Sequence, residues 1–262
     1  MEKTTYRING KGLFSKDEVV ISIGKGKENS GIIFLINNQT IRANVENVTN
    51  SIRNTVLSSG NESICLVEHF LGACSLMGIS DIEVETNKNE LIFNDGSAMH
   101  YYEAFLVNGF SLPDIQEEYS LQTPIFVKND RASLCALPHD GFKISYFMHY
   151  EKYPHLSKLF ASFEKKDQLE KILRARTFGT KEENEFYDVS DRLLTLTPTG
   201  FSKKLHEPLE PLHHKILDII GDLRLSGINP LEINMHVIGI KSGHELNVEM
   251  ARELKKTIPV GV

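Results

Sequence analysis

Two nine-residue stretches of this 262-residue chain match position by position. Leu76-Met77-Gly78-Ile79-Ser80-Asp81-Ile82-Glu83-Val84 runs alongside Leu225-Ser226-Gly227-Ile228-Asn229-Pro230-Leu231-Glu232-Ile233. Each reads as a helix end, a glycine cap and a strand start. Each also follows a helix that a histidine opens, His69 in the first case and His214 in the second. One local grammar used twice points to a duplicated α+β unit. The expected fold class is therefore α+β: two similar units of sheet plus helices, residues 1–118 and 119–262. Such units would set their histidine-bearing helices against each other, with a site in the cleft between them.

Hydrophobic patterning fills in the two halves. Val19 to Ile23, Gly31 to Ile36 and Ile82 to Glu85 are short apolar or alternating runs, expected as strands. Ile64, Val67, Phe70, Leu71 and Cys74 recur at helical spacing, with Ser63 as the expected cap. A second helix is expected from Ala98 to Phe105, and an acidic linker over Pro113 to Thr123. In the second half, Pro124 to Val127, Ala132 to Leu137, Lys143 to Tyr146 and Leu231 to Ile240 read as strands. Asp167 to Arg174, His214 to Leu225 and Glu245 to Lys256 read as helices.

Composition excludes several classes. A net charge of −6 argues against a general nucleic-acid or anionic-membrane surface, which needs a basic field. No apolar run approaches the ~18 residues of a spanning helix, and the polar start Met1 to Arg7 has no signal-peptide core. Three cysteines without a C-x-x-C pair fit neither a disulfide framework nor a cysteine zinc site. The expectation is a reduced, cytoplasmic protein acting as a monomer.

Three segments could carry chemistry. In His214-Lys215-Ile216-Leu217-Asp218 an imidazole and a carboxylate lie one helical turn apart on one face, a geometry that suits two ligands of one divalent cation. Asp222 extends that stripe, and the alternative is a solvated polar face. Val67-Glu68-His69 places a charged pair inside an apolar helix, where unpaired charge is costly. It reads as a third ligand beside a general base, or as a helix edge with Glu68 in water. Ser242-Gly243-His244-Glu245-Leu246-Asn247 puts an imidazole at a helix start, as a tuned general acid or an ordinary polar first turn. Asn94 to Ala98 and Arg176 to Gly179 are turn-like. The histidines at 100, 139, 149, 155, 206, 213 and 236 show no metal spacing, and Gly10-Lys11-Gly12 and Gly24-Lys25-Gly26 are incomplete phosphate loops.

Taken together, these segments resemble the zinc-dependent UDP-3-O-acyl-N-acetylglucosamine deacetylases (LpxC) of lipid A biosynthesis. The resemblance rests on Val67-Glu68-His69, Asp95-Gly96-Ser97-Ala98, Ala175-Arg176-Thr177-Phe178-Gly179, His214-Lys215 with Asp218, Gly221-Asp222-Leu223, and Gly243-His244 with Leu246-Asn247, in the family's order. It implies two similar α+β domains packed face to face and a small-molecule substrate, a UDP-linked acylated amino sugar. It implies Zn2+ held by His69, His214 and Asp218 with an open position. It further implies Glu68 as general base, Thr177 as an oxyanion donor, His244 as a cationic acid, Asp222 as its orienting partner, and Lys215 as added positive charge.

The chain departs from the family at three places. Gly12-Leu13-Phe14-Ser15-Lys16 stands where the family has Gly-Leu-His-Ser/Thr-Gly. Asp191 to Pro208 carries no Gly-Gly-Ser-x-x-Asn-Ala segment, and Met148 to His155 replaces Asp-Phe-x-His-Pro. Leu156, Leu159, Phe160 and Phe163 have helical spacing, as a lining for an acyl chain or as a plain core stripe. A changed outer shell keeps two alternatives in view: a paralogue deacetylating another N-acylated amino sugar, and a non-catalytic protein of the same fold.

Overall fold

The computed structural model describes residues 5–112, 114–164, 169–186, 188–189 and 192–258. Five strands of the first half form one sheet: β1 (Thr5–Lys11), β2 (Glu18–Lys25), β3 (Ile32–Ile36), β4 (Gln39–Arg42) and β5 (Ile82–Thr86). Their order is β1-β2-β5-β3-β4, and only the β3–β5 pair is parallel. The second half supplies β6 (Ile125–Lys128), β7 (Ser133–Pro138), β8 (Phe142–His149), β9 (Ser157–Glu164) and β10 (Ile233–Ile240). Their order is β6-β7-β10-β8-β9, and β8–β10 is the parallel pair. The two sheets thus share strand order and strand sense, pair for pair.

The helices are α1 (Glu68–Leu76), α2 (Met99–Val107), α3 (Leu169–Arg174), α4 (Lys181–Phe186), α5 (Glu210–Leu223) and α6 (His244–Thr257). The repeated nine residues lie at equivalent places, leaving α1 for β5 and α5 for β10. Gly78 and Gly227 both adopt left-handed φ values, 63° and 95°, which stop the helix without a Cβ penalty.

Helices α1 and α5 pack on one another between the sheets. Phe70 of α1 meets Phe34 of β3 edge to face at 5.8 Å, while α5 packs on β8 and β9. Every residue of α1 is buried, as is every residue of α5 except Lys215. On a helix enclosed on all sides, a polar side chain without a partner is costly. One apolar core runs through both halves. Cys65, Cys74 and Cys135 are free thiols, and among the described residues no helix is long and apolar enough to cross a membrane.

Several local expectations change. Ser63 and Ile64 do not start α1; Glu62–Cys65 is a strand that pairs with Val56–Ser59. Gly60-Asn61 closes a two-residue hairpin there, and a positive φ at Leu66 separates it from α1. Residues 157–164 form strand β9 rather than a helix, because β8 offers a full antiparallel edge. Within the expected linker, Tyr119–Ser120 adds a short parallel strand to β10 and Leu121 is buried; Pro113 lies outside the described residues. Helix α5 begins at Glu210, a turn before His214, and β10 begins at Ile233 after a short helical turn over Pro230–Glu232. Residues 167 and 168 of the expected third-helix segment lie outside the described residues, as do residues 1–4 of the polar start. The rest of that start forms β1.

Candidate active site

Where α1 and α5 cross, the first turn of α1 and the second and third turns of α5 bring Glu68, His69, His214 and Asp218 together, all buried. His69 Nε2 stands 3.3 Å and His214 Nε2 3.6 Å from the same Asp218 Oδ1. The three ligand atoms lie within 4.8 Å of one another. Two donors bound to one tetrahedral zinc at about 2.0–2.2 Å stand roughly 3.3–3.6 Å apart, so both imidazole distances to Asp218 match that geometry. His214 Nδ1 is also buried without a hydrogen-bond partner. Two imidazoles and one carboxylate on a buried wall fit a divalent cation with a fourth position open.

The charges around this cluster are ordered by burial and by each other. Burial drives the His214 imidazole well below its usual value, into the neutral form that ligates. Burial opposes ionisation of Asp218, yet the Lys215 and His244 charges hold its carboxyl well below the usual range. Asp218 Oδ2 accepts from Lys215 Nζ at 2.8 Å. Burial weakens the Lys215 ammonium, and Asp218 more than offsets it, so Lys215 stays protonated. Burial raises the Glu68 carboxyl, with His244 and His69 opposing. A raised carboxyl is a stronger base once ionised.

His244 is the first residue of α6, as its sequence position after Gly243 implied. Its Nδ1 donates to Asp222 Oδ2 at 2.8 Å, and its Nε2 points back toward Asp218 at 3.9 Å. Burial disfavours the imidazolium, but the Asp222 and Asp218 charges outweigh it and hold His244 at about 9. Asp222 is fully enclosed and its two oxygens take three donors. Besides His244, they are Asn247 Nδ2 at 3.0 Å and Thr55 Oγ1 at 2.7 Å.

Thr177 lines the same cavity, but its hydroxyl donates to the Gly96 carbonyl at 3.0 Å, beside its own N–H at 2.9 Å. This joins the Asp95-Gly96-Ser97 turn to the Arg176–Gly179 segment, two stretches that read separately in the sequence. Arg176 is anchored in turn: Glu210 accepts from its Nε at 2.7 Å and its Nη2 at 3.1 Å. That ion pair ties the segment to the first turn of α5.

A cavity of about 390 Å³ opens from this cluster. Glu68, His69, Thr177, His214, Lys215, Asp218 and His244 all line it. Away from the charged end, Leu13, Leu66, Phe93, Val189 and Leu193 form an apolar wall, a cluster separate from the main core. The Gly12–Lys16 stretch, which departs from the family pattern, lies here. Glu90 pins it by accepting the backbone N–H groups of Leu13, Phe14 and Ser15 at 2.9, 2.9 and 2.8 Å. Leu156 and Phe163 are buried in the main core instead, and Phe160 is exposed against Phe147, outside this cavity. Thr55 and Glu90 escaped the sequence reading, since a threonine and a glutamate in polar loops give no periodic signal. Asn247 was visible only as part of a motif.

A family model described as UDP-3-O-acyl N-acetylglycosamine deacetylase, LpxC, matches residues 3–256. Proteins named UDP-3-O-acyl-N-acetylglucosamine deacetylase align over nearly the whole chain. The one from Chlamydia abortus is 28% identical over 274 residues, covering 96% of this chain and 95% of its own. That from Chlamydia felis is 29% identical over 270 residues, with 96% and 95% covered. That from Coxiella burnetii is 28% identical over 273 residues, with 97% and 89% covered.

Proposed function

The chain belongs to the LpxC family of UDP-3-O-acyl N-acetylglycosamine deacetylases, and from that premise we propose that His69, His214 and Asp218 hold zinc while Glu68 and His244 move the protons. The protein is a deacetylase of lipid A biosynthesis that acts on UDP-3-O-acyl-N-acetylglucosamine. It hydrolyses the N-acetyl amide to give acetate and the free amine.

Zinc on these three ligands would polarise the amide carbonyl and make water easier to deprotonate. Glu68, beside His69 and lining the cavity, takes the proton from the attacking water. Lys215 adds positive charge where the amide oxygen becomes anionic. Thr177 serves the same oxygen once its hydroxyl exchanges the Gly96 carbonyl for it. His244, held cationic by Asp222, stabilises developing negative charge and protonates the departing amine. We take residues 1–118 and 119–262 as the two units, with the site in the cleft between them, and place the protein in the cytoplasm as a monomer.

The observation that carries this reading is the convergence of a three-ligand cluster, a buried carboxylate and a cationic imidazole at one end of a single cavity. Acetate release from the UDP-acyl-sugar tests it, with metal analysis on the same samples. About one zinc per chain and turnover abolished in Glu68→Ala are expected. Protein without bound metal, or full turnover in Glu68→Ala, would refute the assignment.

A further inference from the structure

Thr55 is fully enclosed and touches both carboxylates of the proton-transfer machinery. Its hydroxyl donates to Asp222 Oδ1 at 2.7 Å, and its backbone N–H donates to Glu68 Oε2 at 3.2 Å. The fold puts it there. Thr55 ends the 51–54 loop that lines the cavity and precedes the strand Val56–Ser59. That strand pairs with Glu62–Cys65, with Val56 opposite Cys65, and Leu66-Val67 then leads into α1. The hairpin therefore returns the chain so that residue 55 stands beside Glu68, while α5 brings Asp222 from 167 residues away.

We propose that Thr55 is a positioning residue whose hydroxyl fixes the Asp222 carboxylate, and through it His244, against Glu68. Asp222 rotates about one terminal torsion, and its Oδ2 must face both His244 and Asn247. An oxygen on one side with two donors and an oxygen on the other with none would leave a buried lone-pair site unsatisfied. Thr55 supplies the missing donor and locks the rotation. Partners one step removed from a catalytic group typically matter roughly 10- to 100-fold. The inference rests on the proposed roles of Asp222 and His244.

The test uses the zinc-loaded enzyme. Thr55→Val removes the hydroxyl at nearly constant shape, Thr55→Ser keeps it, and Thr55→Ala leaves room for a water to donate instead. Expected is a kcat loss of roughly 10- to 100-fold in Thr55→Val, with KM and zinc content retained. A smaller loss is expected in Thr55→Ala and recovery of most of kcat in Thr55→Ser. In an Asp222→Ala background, Thr55→Val should cost nothing beyond about twofold, because its partner is gone. The downfield Nδ1 proton resonance of His244 should move in Thr55→Val and stay in Thr55→Ser. Unchanged kcat in both Val and Ala, an undiminished loss in the Asp222→Ala background, or an unmoved resonance overturns the proposal. Wild-type enzyme that releases no acetate, with the resonance still responding to Thr55→Val, would sink the proposed roles in catalysis and leave the Thr55 contact standing.

Discussion

Gly221 of α5 faces the backbone carbonyl of Glu68 so closely that a Cβ at position 221 would overlap it. The close approach of α1 and α5 at the site thus depends on a missing side chain. In an ordinary helix interior, Gly→Ala is favourable by about 0.5–1 kcal/mol. Here the added methyl group meets backbone, which cannot rotate away. Gly221→Ala is expected to destabilise by about 1–3 kcal/mol, the usual cost of overpacking, and to displace the Glu68-His69 turn. Urea unfolding and zinc content check this together, and a variant more stable than wild type with full zinc would show that the helices can separate freely.

Metal removal should be reversible, because the ligands come from two packed helices rather than from a loop. Chelation is expected to abolish turnover, and added zinc to restore it. His214→Ala should bind no zinc at stoichiometric metal, since two ligands remain of three. Metal analysis after dialysis decides it, and a variant retaining one zinc per chain would place the ion elsewhere.

The pH dependence tests the His244–Asp222 pair. His244 is held at about 9, burial notwithstanding, by the charges of Asp222 and Asp218. A general acid must be protonated, so activity is lost as pH rises through that value. Asp222→Asn removes the largest of the raising charges and leaves burial, which lowers the value. The alkaline limb of kcat/KM is therefore expected to move to lower pH in Asp222→Asn. Rate profiles of both enzymes measure it, and an unmoved limb would assign that limb to another group.

The sequence made parts of this site legible and left others hidden, for a physical reason. His214 and Asp218 stand four residues apart on one helix, so the period of the helix joins them. Glu68 and His69 stand out as charge inside an apolar run, although the run itself continues back into a strand at Ile64. The repeat at Gly78 and Gly227 points to two similar units of sheet plus helices, and the two main sheets share one strand order. What could not be read is what only tertiary packing brings together. Thr55 reaches Asp222 across 167 residues, and Leu13 reaches Glu90 across 77. No local pattern marks such contacts. The helical spacing of Leu156 to Phe163 misled for the related reason that β8 supplies pairing a single segment cannot reveal.

Glu90 gives the sharpest separation of substrate holding from chemistry. Its Oε2 accepts from Leu13 and Phe14 N–H, and its Oε1 from Ser15 N–H. These bonds shape the stretch where the chain departs from its family, and Leu13 and Phe14 face the cavity. Glu90→Gln keeps one acceptor oxygen and turns an amide NH2 toward the remaining N–H groups. Each donor left unmatched costs about 1–3 kcal/mol when buried, so a drop in the urea midpoint is expected. The Leu13–Phe14 wall should loosen with it. Neither the metal ligands nor Glu68 or His244 hydrogen-bonds to Glu90, so kcat should hold while KM rises. Steady-state kinetics on the UDP-acyl-sugar measure both terms. A fall in kcat at constant KM would mean that Glu90 acts on the reacting centre rather than on the wall that receives the substrate.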